Sequence, residues 1–113
     1  MPTVLSNFQF YRGEDISIPD TVYQADGVTP QDITGWSVQF LMRPQDIPGV
    51  TSVRKTTGGG IVLTTPAAGL LTITLASADT AGLYPGPYAY AVERTDVGAD
   101  AVLSAGVITL LAK

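Results

Sequence analysis

Residues 83–95 read LYPGPYAYAVERT. Pro85 and Gly86 are turn formers, and after them Tyr88, Tyr90 and Val92 occupy every second place. A period of two puts these three side chains on one face of a strand. Such a stretch is either an aromatic platform for a ligand or a corner that passes the chain from one sheet to another. Burial of the rings with their hydroxyls satisfied is the commoner use of tyrosine. The corner is therefore the preferred reading, with Tyr11, Tyr23 and Tyr84 left as the tyrosines open to exposure.

The rest of the chain also reads in strands. In NFQFYR, Phe8 and Phe10 share one face and Gln9 and Tyr11 the other. Ile16 and Ile18 point inward before Pro19, which marks a bend or a sheet edge. The ADG at 25–27 is a turn signal. WSVQFLMR follows, with Trp36, Val38, Phe40 and Met42 on one face. Val50 to Thr57 is β-branched but weakly patterned and reads as an edge strand, with Arg54 and Lys55 discouraging unwanted pairing. GGG at 58–60 and PAAG at 66–69 are turns around IVLTT. In LLTITL, Leu71, Ile73 and Leu75 point one way. ASADTAG predicts a single helical turn capped by Ser77. YAYAVERT and AVLSAGVITLL flank DVGAD as a hairpin. The last strand is apolar on both faces near Val107 to Leu111. Seven or eight short strands and no convincing helix predict an all-β, antiparallel sandwich filling one domain, 1–113, with 1–7 as a flexible or docking arm.

Composition narrows the function classes. Charged residues are only 14% of the 113, well under the usual quarter or so. A small domain with so few charges is rich in neutral polar surface or hides surface against a partner. The formal charge is −4 and the six basic residues are scattered, so no stripe exists to neutralise phosphates or an anionic membrane. No apolar stretch approaches the ~20 residues that span a bilayer. The start, MPTVLSNFQFYRGED, has neither a basic head nor a long apolar run, so no secretory signal is expected. With no cysteine and no histidine, disulfides, thiolates, common zinc sites and histidine bases are excluded.

The motif order carries a resemblance. FYRGED (10–15), ADG (25–27), DITGW (32–36), GLLTITL (69–75), ADTAGLYPGPYAYAV (78–92) and SAGVIT (104–109) occur in that order. The pattern resembles small phage and prophage virion proteins with an immunoglobulin-like fold, the N-terminal domain of phage baseplate upper proteins being the nearest named family. That likeness implies an immunoglobulin-like antiparallel β-sandwich of seven to eight strands. The L-x-P-G-x-Y-x-Y-x-V segment resembles the corner before the sixth strand of immunoglobulin-like and fibronectin type III domains. It implies that Leu83 plugs the sandwich end, that Pro85 and Gly86 turn, and that the Tyr88 hydroxyl bonds back to the preceding loop. Trp36 resembles the core tryptophan of the third strand. Such domains often begin longer proteins, whereas this chain stops at Lys113, so it is expected to act by docking.

Chemistry is weighed against scaffold. Aspartates in turns, Asp26 and Asp32 among them, are explained by turn formation, and DGVTPQD lacks a calcium-loop ladder. No metal and no cofactor is expected. GGGIVL lacks the lysine and helix of a phosphate loop. A serine nucleophile would need one of only two lysines, so the chain is not expected to be an enzyme. The resemblance implies instead a structural protein of the phage virion, made in the host cytoplasm. It would be a capsid decoration or cement subunit, or a tail-baseplate accessory, docked on other virion proteins and open to homo-oligomers. Candidate docking residues are Val50, Val53, Arg54, Val107, Thr109 and Leu111. The alternative is a carbohydrate- or receptor-binding module of the tail using exposed tyrosines and loop aspartates. An assembly factor absent from the finished particle stands third.

Overall fold

The computed structural model describes residues 4–5, 7–46 and 51–112. They form nine strands, β1 (Val4–Leu5), β2 (Phe8–Tyr11), β3 (Ile16–Thr21), β4 (Val38–Pro44), β5 (Val53–Thr57), β6 (Gly60–Thr65), β7 (Leu70–Leu75), β8 (Gly86–Arg94) and β9 (Ala101–Leu111). A 3-10 turn (Pro66–Ala68) and one short helix, α1 (Ser77–Ala81), complete the order. The all-β expectation holds.

One sheet path runs β1-β9-β8-β4-β5-β6-β7-β3, with β2 also lying on β9. It contains two antiparallel ladders, β9-β8-β4-β5 and β6-β7-β3. They are joined by a short parallel bridge, Thr56↔Gly60 and Thr57↔Ile61. The sheet is thus mixed, where antiparallel pairing alone was expected. The parallel pairs are β5–β6 and those of β1 and β2 with β9. Alternation along a strand says which face is buried, and nothing about the direction of its neighbour.

The period-two faces meet in one core. Phe40, Met42, Val92, Ile108 and Leu110 from one ladder join Ile16, Ile18, Ile61, Leu71, Ile73 and Leu75 from the other, all buried. Phe8 and Phe10 of β2 and Trp36 pack against its margin. Each such side chain contributes about 1.5–3 kcal/mol when fully removed from water. Pro19 is accommodated because β3 ends the path and needs no partner on its free side.

Side-chain bonds fasten the connections. Asp79 sits in the first turn of α1 and its carboxylate accepts the Ala76 amide at 2.7 Å, so Ala76, and not Ser77, stands at the cap position. The Ser77 amide instead donates to Asp15 at 2.8 Å, and the buried Thr80 hydroxyl accepts the Gly13 amide at 2.8 Å. α1 is thereby tied to the turn after β2.

At the corner, the Tyr88 hydroxyl donates to the Tyr84 carbonyl at 2.7 Å. Leu83 is half-buried against the core, and Gly86 carries a φ of 143° that favours glycine. The bond spans four residues and holds the turn while the ring fills the core. Tyr88→Phe keeps the ring and removes the donor. The expected cost is about 1–2 kcal/mol in a urea titration. No change in midpoint would mean that the corner bond contributes nothing.

The outer strands of the two antiparallel ladders, β9 and β3, are also bonded to each other. The Ser104 hydroxyl of β9 donates to the Asp20 carboxylate of β3 at 2.7 Å, closing the flank beside a small cavity of about 50 Å³ lined also by Phe8, Ile73 and Tyr90. Burial pushes the Asp20 carboxyl above its ordinary 3.8, with the Ser104 and Thr21 bonds opposing it. Burial, then the Asp20 charge, push the Tyr90 hydroxyl up to about 12. A raised carboxyl binds its proton more tightly in the folded chain than in the unfolded one. Stability is therefore lost as pH rises from about 3.8 through the raised value. Asp20→Asn is expected to remove that slope and to raise the unfolding midpoint at pH near 7. A variant equally pH-dependent, or less stable near neutrality, would refute this.

Candidate functional site

The strands that send aromatic rings into the core send small residues to the opposite face. Outward on β8 stand Ala89, Ala91 and Glu93, between the inward Tyr88, Tyr90 and Val92. Outward on β4 stand Gln39, Leu41 and Arg43. Strand register arranges them in rows. Arg43 lies opposite Ala89, which lies opposite Val107. Arg54 lies opposite Leu41, then Ala91, then Ala105. Thr56 lies opposite Gln39, then Glu93, then Val102.

Alanines at the centre and longer side chains at the rim make this face concave. The hollow has a volume of about 430 Å³ and is lined by Leu41, Arg43, Ala89, Ala91, Val102 and Ala105 among others. Val102 is 43% exposed on its edge. A bulge between Val92 and Glu93 shifts the register there and brings Val102 opposite Glu93.

The charges on this face are unevenly satisfied. Glu93 accepts the Gln39 side-chain amide at 3.1 Å. Elsewhere in the chain, Lys55 pairs with Asp79 at 2.8 Å, which holds that carboxyl below its ordinary range. Arg94 pairs with Asp96 at 2.7 Å and stacks on Trp36 at 3.9 Å. Arg12 donates to the Leu83 carbonyl at 3.1 Å. Among the described residues, neither Arg43 nor Arg54 is within 4 Å of a carboxylate, and both are exposed.

The residues singled out from sequence are placed unequally. Arg54 and Val107 lie by register on the same sheet face as the hollow, beside its lining. Thr109 and Leu111 continue the outer row of β9, yet their backbones pair with Gln9 and Tyr11, and the Val107 amide donates to Asn7 at 3.0 Å. β9 is thus flanked on its second side by β1 and β2 from Ser104 to Leu111, which leaves no open edge for strand addition at Val107, Thr109 or Leu111 among the described residues. Val53 is only 5% exposed, because it stands opposite Met42 on the inward face, and this removes it from the surface set. Val50 lies outside the described residues. β5 is an edge only along Val53 to Lys55, since Thr56 and Thr57 meet β6. The centre of the hollow was not anticipated. Its signal was the alternation of alanine between the aromatic residues of β8, which hydropathy scarcely marks.

The tyrosines divide. Tyr88 and Tyr90 are buried, while Tyr84 is 85% exposed. Tyr84 borders a second, smaller hollow of about 210 Å³ with Pro44, Gln45, Asp46, Pro85 and Pro87. Among the described residues, no group of three or more acidic side chains is placed to hold a metal ion, and no helix is long and apolar enough to cross a membrane. No family model matches the sequence, and no curated protein matches it significantly.

Proposed function

We propose that this chain is a non-enzymatic structural subunit of a phage virion with an immunoglobulin-like sandwich fold. It would serve as a capsid decoration or cement protein or a tail-baseplate accessory, docked on neighbouring virion proteins. The observation that carries the docking role is the concave, small-residue face of the β9-β8-β4-β5 ladder. A sheet face that is free to water and poor in charge gains by being covered, and alanines let another backbone approach closely. The sandwich assignment is supported by the two ladders facing one core and by the hydroxyl–carbonyl bond at the Tyr88 corner. In a particle, many copies acting together turn weak single contacts into lasting attachment.

Imaging and protein analysis of purified particles test this. The chain is expected in intact particles, and Ala91→Glu is expected to abolish its incorporation while the isolated variant keeps a wild-type circular dichroism spectrum. Particles that lack the chain would end the proposal. A second reading is favoured by Tyr84, whose exposed ring beside Asp46 and Gln45 suits a sugar face. Loss of host adsorption by Tyr84→Ala particles of normal stability would select it.

A further inference from the structure

We propose that the concave face takes an acidic protein segment, whose carboxylates pair with Arg43 and Arg54 while its apolar side chains fill the hollow over Ala89, Ala91 and Ala105. This rests on reading that face as the docking surface. Three described cations of the chain are already engaged: Lys55 by Asp79, Arg94 by Asp96, and Arg12 by a backbone carbonyl. The two that are not stand side by side on this one face. Arg54 is opposite Leu41 and Arg43 lies two residues further along β4, so they are diagonal neighbours across one strand pair. In a chain of net charge −4, this is a local reversal of sign beside an apolar surface.

Guanidinium groups suit carboxylates through paired, parallel N–H donors. Held beside the hollow, such pairs add orientation to the apolar contact. A second copy of the chain fits poorly. On this face it would offer Glu93 alone, and that carboxylate already accepts from Gln39. An acidic strand whose carboxylates and apolar side chains take turns along one face, each recurring at every fourth residue, would meet both features at once.

The test uses the whole chain with a short synthetic peptide repeating Val-Ser-Glu-Ser, and its counterpart repeating Val-Ser-Lys-Ser. Isothermal titration is expected to show binding of the Glu peptide below about 1 mM. That binding should weaken at least roughly tenfold in high salt. The Lys peptide should not bind. Arg43→Glu with Arg54→Glu should abolish Glu-peptide binding, Arg43→Gln with Arg54→Gln should weaken it, and Tyr84→Ala should leave it unchanged. Equal binding of both peptides, no binding of the Glu peptide, or no effect of the arginine changes would overturn the proposal. So would a duplex DNA oligonucleotide binding as tightly, or sedimentation showing a dimer that the arginine changes dissolve. If the peptide results hold and particles lack the chain, only the virion reading fails. If particles contain the chain and the double arginine variant incorporates normally, only the acidic partner fails.

Discussion

Phe40→Ala is expected to lower the melting temperature by at least roughly 12 °C, the largest effect of any single truncation in the chain. Phe40 is fully buried in β4, its ring 5.9 Å from that of Tyr90. It packs in the one core that both ladders share. Removing it deletes the apolar contacts and leaves a cavity that rigid strands cannot close. Truncations of this kind cost about 3–5 kcal/mol, against a total of about 5–15 for an ordinary domain. Phe40→Leu keeps much of the volume and should fall between the two. Thermal unfolding of the three chains measures the series. An alanine variant within about 1 kcal/mol of the parent would mean that the ladders do not share this core.

Gly69→Ala is expected to cost more than about 2 kcal/mol, although it adds one methyl group at a turn. Gly69 has a φ of +75°, and a β-carbon there would stand 2.5 Å from the Val22 carbonyl oxygen and 2.7 Å from that of Gln31. Those oxygens belong to backbone that is itself committed. The Val22 carbonyl accepts the Gln31 amide, and the Gly69 carbonyl accepts the Val22 amide, each at 2.9 Å. The clash therefore cannot be relieved by turning a side chain aside. Gly27→Ala supplies the comparison, because Gly27 has nearly the same φ, +77°, and nothing within 4 Å. It should cost only about 1 kcal/mol, the left-handed conformation alone. Chemical denaturation of both separates conformation from contact, and equal losses would show that the crowding at Gly69 is unimportant.

The sequence makes legible whatever a strand writes along itself. The inward faces of β2, β3, β4, β7 and β8 were legible because alternation is local, and so was the hairpin of β8 and β9. What a strand pairs with is not local. The parallel placement of β2 on β9 depends on residues at the two ends of the chain and leaves no mark in either segment. The cap of α1 falls at Ala76 and not at Ser77 because the Asp79 carboxylate takes the Ala76 amide, while Asp15, distant in sequence, takes the Ser77 amide. The hollow was hidden for another reason. Alanine is permitted on either side of a sheet, and only the registers of β4, β8 and β9 together make its rows into a surface. Arg54 was marked for its role in guarding an edge, whereas its unpaired state, shared with Arg43, appears only when Arg12, Lys55 and Arg94 are each seen to have a partner.

The pairing of β2 with β9 also sets an order of events at the ribosome. The Asn7 side chain meets the Val107 amide across a sequence separation of 100. At ordinary speeds of translation, about 5–20 residues per second, β2 waits several seconds for its neighbour to be made. Throughout that interval Phe8 and Phe10 have no strand to lie against. A nascent polypeptide of this kind stays exposed to chaperones and to miscoupling with other chains until β9 has emerged.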